Sequence, residues 1–259
     1  MPFVEIGDFR AHYALSGPAG SPVLVLSNSL GTNLTMWDLQ VPEFEKHLRV
    51  LRYDTRGHGQ SSVTPGPYRI EQLGRDVLHI LDRLNLDRVH FCGLSLGGMT
   101  GMWLGVHAPE RLRNLVLCNT AARIGTADVW NARIDAVRKG GMKSIAPAVI
   151  ERWFTPAFRA AAPEPVARTE RMIEATPPEG YAACCAAIRD MDQRESISSI
   201  TAPTLVICGA QDPATPPADG QFLAAKIRGA RCVELPTAHL SNIEASVQFS
   251  SEVTRFLAG

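Results

Sequence analysis

The sequence carries no excess charge of either sign: 26 lysines and arginines stand against 26 aspartates and glutamates. Nucleic-acid binders usually show a basic surplus or patch, and nothing in this balance favours one. Any selectivity for charged ligands must therefore come from local residues. Long apolar runs are also missing. Stretches such as 23–26 and 115–118 are four or five residues long, whereas a membrane span needs about 20, so no spanning segment is expected. The opening MPFVEIGDFRAHY lacks a basic segment followed by a long apolar one, and no secretory leader is expected. Cys92, Cys118, Cys184, Cys185, Cys208 and Cys232 form no C-x-x-C pair. Reduced, mostly buried thiols in a cytoplasmic protein are the expectation. No internal repeat or low-complexity tract is evident.

What is present suits one large α/β domain: 259 residues, 45% hydrophobic and 20% charged. Short apolar runs alternate with helical patterns. Strands are predicted at 3–6, 12–15, 22–27, 50–53, 89–92, 115–118, 204–208 and 232–235. The run PVLVLS at 22–27 has the continuous apolar character of a strand buried on both faces. Helices are predicted at 70–84, 96–107 and 242–257. This alternation implies a mostly parallel central sheet flanked by helices. One stretch, about 121–199, offers helical patterns near 128–139, 142–154, 165–175 and 180–189 but no convincing strand. It is expected to be a helical cap inserted into a single domain whose core is 1–120 and 200–259.

The sharpest motif is Gly93-Leu94-Ser95-Leu96-Gly97. It fits G-x-S-x-G, with a predicted strand before it and a predicted helix after it, which is the setting of a nucleophile elbow. A turn that tight strains the serine backbone, and small flanking residues avoid clashes with it. The helix start behind it presents unpaired N–H groups to a developing oxyanion. A serine hydroxyl needs a base. His239 follows the last predicted strand, where open α/β sheets build their sites, while His12, His47, His79, His90 and His107 sit in or beside predicted elements. The base needs an acid. Asp212 closely follows the strand at 204–208; the other plausible place, after 115–118, holds the neutral Asn119, and Asp190 and Asp192 lie in the cap. Leu96 is expected to supply one oxyanion N–H and Leu30 the other, with Ser29 as the neighbouring alternative. The segment 53–61, with Asp54, Arg56 and His58, reads as a structural turn rather than as catalytic.

Together these residues resemble the α/β-hydrolase superfamily across nearly the whole chain, including the Ser…Asp…His order. SNSLGTNLTMWDLQ (27–40), RYDTRGHGQSS (52–62), FCGLSLGGMTGMWL (91–104) and especially AAIRDMDQRESISSITAPTLVICGAQDPATPP (186–217) look like the 3-oxoadipate enol-lactonases. The resemblance implies hydrolysis of an enol-lactone bearing an acetate arm, in the beta-ketoadipate pathway of aromatic-compound degradation, with no metal or organic cofactor. It also implies a cap group for the substrate carboxylate. Trp130 and Arg133, three apart on a predicted helix, would share one face. Trp153 and Arg189 are rivals; Met99 and Trp103 read as core. A general carboxylesterase or perhydrolase on the same triad, or a non-catalytic small-molecule receptor, would use the same fold. Oligomeric state is left open.

Overall fold

The computed structural model describes residues 2–258. An eight-stranded sheet runs in the order β1-β2-β4-β3-β5-β6-β7-β8. Its strands are β1 (Phe3–Ile6), β2 (Phe9–Ser16), β3 (Val23–Ser27), β4 (Arg49–Tyr53), β5 (Val89–Leu94), β6 (Leu112–Cys118), β7 (Thr204–Gly209) and β8 (Arg231–Leu235). β1 pairs antiparallel with β2, and β2 with β4; the remaining pairs are parallel. The helices are α1 (Val41–Phe44), α2 (Ile70–Arg83), α3 (Leu96–His107), α4 (Ala127–Gly140), α5 (Ala146–Trp153), α6 (Pro156–Ala161), α7 (Pro163–Glu174), α8 (Pro178–Asp190), α9 (Pro217–Lys226), α10 (Ser241–Glu244) and α11 (Ser246–Ala258). The mostly parallel sheet between helices is the fold class read from the sequence.

Parallel strands need crossovers, and the crossover helices cover both faces of the sheet. That is why β3, β5 and β7 are buried at every position, while the edge strand β8 is largely exposed. α2 turns Leu73, Val77, Ile80 and Leu81 inward. It lies so close to α3 that a Cβ on Gly74 would sit 2.0 Å from the Trp103 ring. α3, beneath the sheet's centre, is buried almost all round. Between β6 and β7 the described chain forms only helices and turns. There α4 packs on α8, burying Trp130, Ile134 and Val137 against a helix that is itself buried from Gly180 to Ile188.

Several elements depart from the sequence reading, among them α1, which had no predicted counterpart. The expected helix at 142–154 is a short 3-10 turn, Met142–Ser144, followed by α5 with Pro147 in its first turn. α6 is an additional short helix, started by Pro156 and capped by the Thr155 hydroxyl. α9 had no predicted counterpart; only Gly220 and Leu223 are buried on it, so it carries little periodic apolar signal. The closing helix is two helices, because Ala245 leaves helical geometry at φ −125° and ψ 50°.

Arg56 carries a charge that is almost fully buried. Its Nε and Nη2 donate to the two Asp76 carboxylate oxygens at 2.8 and 2.6 Å, and both side chains are under a tenth exposed. Removing one partner of such a pair strands a desolvated charge. Asp76→Ala should therefore lower stability by about 3–5 kcal/mol, read as the shift in a urea unfolding midpoint. Glu43→Ala, which removes a solvent-exposed partner of Lys46, should cost under about 1 kcal/mol.

Candidate active site

Ser95 stands between the end of β5 and the start of α3. Its backbone is in the left-handed region, φ 56° and ψ −112°, which an L residue adopts only when its surroundings enforce it. The Ser95 N–H donates to the Cys118 carbonyl at 2.9 Å, and the Thr120 hydroxyl donates to the Ser95 carbonyl at 2.8 Å. Glycine is required on either side: a Cβ at Gly93 would meet the Gly97 carbonyl oxygen at 2.2 Å, and one at Gly97 would meet the Ser27 carbonyl oxygen at 2.2 Å. The strand–turn–helix packing therefore forces the serine side chain out at the carboxyl end of the sheet.

His239 follows β8 on the same rim, and it lines the same cavity as Ser95, of about 220 Å³. Its Nδ1–H donates to Asp212 Oδ2 at 2.8 Å. This leaves the Nε2 lone pair to accept a proton. Asp212 sits in the turn after β7 and accepts five hydrogen bonds. Oδ1 takes the Ala214 and Thr215 N–H groups at 2.8 and 3.0 Å. Oδ2 takes the Thr215 hydroxyl at 2.7 Å, Asn119 Nδ2 at 3.0 Å and His239. Burial pushes this carboxyl up, but the His239 charge and these donors together outweigh it and hold it at about 2. A buried carboxylate so supplied stays ionised and fixes the imidazole tautomer. Asn119, at the alternative acid position, is itself a donor to Asp212. It also donates to the Ala238 carbonyl at 3.2 Å and accepts from the Ser241 hydroxyl at 2.5 Å.

Leu96 begins α3, where helix N–H groups lack intrahelical acceptors. In the loop after β3, the flanking N–H groups are occupied: Ser29 donates to Met36 Sδ at 3.4 Å, and Gly31 to His58 Nε2 at 3.0 Å. The N–H of Leu30, between them, has no acceptor among the described residues. His58 is thus a brace for this loop. Its Nδ1–H donates to the Arg56 carbonyl at 3.2 Å, and burial pushes it down to about 4, so it is a neutral acceptor at ordinary pH. Asp54 fixes the turn from the other side, accepting from the Leu34 and Gln60 N–H groups at 2.7 and 2.8 Å.

Trp130 and Arg133 both line the cavity, with the guanidinium carbon 5.3 Å from the Trp130 ring centroid. Trp153 lines it too. Arg189 does not; it is engaged by Asp190 and Asn131. Trp103 stacks on His107 away from the site, whereas Met99 is both buried core and cavity wall. The sequence reading missed Arg152 and Tyr181, which also line the cavity. Burial pushes Arg152 down, and the Arg133 charge adds to that shift. Neither arginine has a carboxylate partner among the described residues. The site thus joins a serine hydroxyl, an Asp-held imidazole and two uncompensated cations.

A family model described as the alpha/beta hydrolase fold matches residues 22–246. A 3-oxoadipate enol-lactonase of Acinetobacter baylyi is 46% identical over 246 residues, 95% of this chain and 92% of the relative. The crystal structure of the enol-lactonase from Burkholderia xenovorans LB400 superposes with a TM-score of 0.98 at 46% identity and covers 100% of both chains. A hydrolase from Pseudomonas aeruginosa superposes with a TM-score of 0.97 at 48% identity, covering 100% of this chain and 98% of its own.

The depressed Asp212 carboxyl has a consequence for stability. A carboxyl held below its ordinary value contributes stability above that ordinary value and loses it as pH falls through the folded one. The stability gap between the wild type and Asp212→Asn should therefore narrow by about 2 kcal/mol as pH drops from 5 towards 2. The drop spans the ordinary 3.8 and the folded value of about 2. Urea midpoints taken across that range measure it; a constant gap would contradict the assignment.

Proposed function

The chain belongs to the α/β-hydrolase family, alongside the 3-oxoadipate enol-lactonases, and on that premise we propose that it hydrolyses 3-oxoadipate enol-lactone to 3-oxoadipate through an acyl-enzyme. The observation that carries the reading is the pairing of a nucleophile–base cavity with arginines that have no carboxylate partner. A hydrolase for a neutral ester has no use for such cations. A lactone with a free carboxylate does.

Ser95 attacks the lactone carbonyl while His239 Nε2 takes its proton and Asp212 steadies the resulting imidazolium. The Leu30 and Leu96 N–H groups hold the oxyanion. Collapse of the tetrahedral adduct breaks the ring C–O bond and expels an enolate, a better leaving group than an alkoxide. His239 returns the proton, and tautomerisation to the ketone draws the step forward. Water, deprotonated by His239, then attacks the acyl-enzyme, and Ser95 leaves with the proton restored. Every step uses side chains, backbone N–H groups and water. Arg133 binds the acetate carboxylate from the helices between β6 and β7, which serve as a cap over the rim, and Trp130, whose Nε1–H donates to the Ile124 carbonyl at 2.8 Å, contributes its ring as the wall beside that guanidinium. The reaction belongs to aromatic-compound breakdown in the cytoplasm.

The direct test is enol-lactone hydrolysis followed at the ultraviolet absorbance of the ring. Ser95→Ala should fold normally and lose about 10⁴-fold or more in kcat/KM, with Asp212→Asn similarly severe. Arg133→Ala should raise KM for the charged lactone about 10-fold more than for a neutral aryl ester. Equal effects on both substrates would reject the carboxylate contact. A wild type that turns over neutral esters and ignores the lactone would leave a general carboxylesterase instead.

A further inference from the structure

Glu244 lies outside the cavity and takes no part in the steps above, yet its carboxylate joins two segments that do bear on the site. Its Oε2 accepts from the Ala238 N–H at 3.0 Å, one residue before His239. The same carboxylate accepts from the Thr155 N–H at 3.3 and 3.4 Å and from the Thr155 hydroxyl. Two residues earlier, the Trp153 carbonyl accepts from both the His239 and Leu240 N–H groups, each at 3.1 Å. The Trp153 ring lies 5.8 Å from the His239 ring, and Trp153 and Arg152 are cavity walls. Residues 153–155 and 238–240 are therefore bound edge to edge, with the Glu244 carboxylate closing one end of the junction.

We propose that Glu244 is a positioning residue that locks the His239 loop to the end of α5, so that the base and the Arg152–Trp153 wall keep one fixed spacing. It acts through Ala238 and Thr155 and touches no substrate. The physical need is plain. His239 sits on an irregular loop between β8 and α10, and such a loop has no ladder of its own to hold an imidazole within the tolerance of proton transfer. Hydrogen bonds to an ionised acceptor are stronger than neutral ones, and a misplacement of about 1 Å can cost 10²-fold in rate. The inference rests on His239 as the base, as proposed above.

The test compares Glu244→Ala with Glu244→Gln. Glutamine keeps a carbonyl oxygen for the Ala238 N–H and offers its amide to the Thr155 hydroxyl, which can turn to accept. Two rates are read below each variant's melting temperature: kcat on the lactone, and second-order labelling of Ser95 by a fluorophosphonate, which needs the base but not the lactone. Glu244→Ala should lower both about 10-fold or more while KM stays within about 3-fold, and Glu244→Gln should restore both to within about 3-fold of wild type. A Glu244→Ala protein that melts lower but keeps wild-type kcat and labelling would show a purely structural contact and overturn the proposal. So would failure of glutamine to restore the rates. If Glu244→Ala does not fold, Thr155→Val against Thr155→Ser carries the same comparison from the other side, with serine keeping the hydroxyl. If the wild type is labelled normally but ignores the lactone, the substrate reading falls and the labelling comparison still decides the role of Glu244.

Discussion

The backbone of Ser95 is the constraint on which the site depends. A non-glycine residue at φ 56° and ψ −112° stores on the order of 1–3 kcal/mol of strain, and that energy has to be offset by its surroundings. The offset comes from the sheet. β5 is paired in parallel with β3 on one side and β6 on the other, and the end of β6 supplies the carbonyl that receives the Ser95 N–H. Glycines at 93, 97 and 98 let α3 start against Ser27 and Thr120 without a side chain between them. The apolar burial of β3, β5 and α3 thus keeps a polar side chain in a conformation it would not choose, aimed at the rim where β7 and β8 also end.

The polar groups on that rim are arranged so that one charge is fully supplied and others are left wanting. Asp212 is buried at 3% exposure, where an unpaired carboxylate would be very costly. It is satisfied from five directions, by donors from the end of β6, its own turn and the His239 loop. Asn119 extends this into a chain from Ser241 through Asp212 to His239. A neutral amide serves here where a second carboxylate would repel the first. Across the cavity, the opposite condition holds. Arg133 and Arg152 face one another's charge without an anion between them, a cost the fold retains and an anionic ligand would relieve.

The parts of the fold legible in the sequence are those in which burial imposes a pattern. Continuous apolar runs marked β3, β5, β6 and β7, and the helix predicted at 96–107 coincides with α3, because a strand buried on both faces has no polar alternation to confuse it. α9 escaped notice because its buried face is two residues wide. The break at Ala245 was invisible because no glycine or proline stands there to announce it. The site divides in the same way. Ser95, Asp212 and His239 were legible as candidates from strand ends and chain order; Ser95 and His239 line one cavity, and His239 donates to Asp212. Arg152 was not, because on a helix whose apolar residues are Val149, Ile150 and Trp153 an arginine reads as the solvent face. Only the packing of α5 over the sheet rim makes it a cavity wall. Leu30 was placed by order in the chain alone; what distinguishes its N–H from that of Ser29 is the pair of acceptors, Met36 and His58, that occupy its neighbours.

A molecule with no net charge has little long-range means of choosing an anion. Charges beyond about 8 Å are screened at physiological ionic strength, and several of this protein's ion pairs join exposed residues within a few positions of each other. Discrimination must therefore occur after entry, at contact, where water has been displaced. The cavity meets that condition. Half-burial and the Arg133 charge already press on Arg152, so a carboxylate arriving at Arg133 relieves a repulsion that water has only partly screened. A neutral ester gains nothing comparable. Selectivity built this way depends on keeping the cations and the base at a set separation, since a substrate held by its carboxylate reaches the nucleophile at only one distance. The carbonyl of Trp153 and the carboxylate of Glu244, which join the α5 wall to the His239 loop, act on that separation.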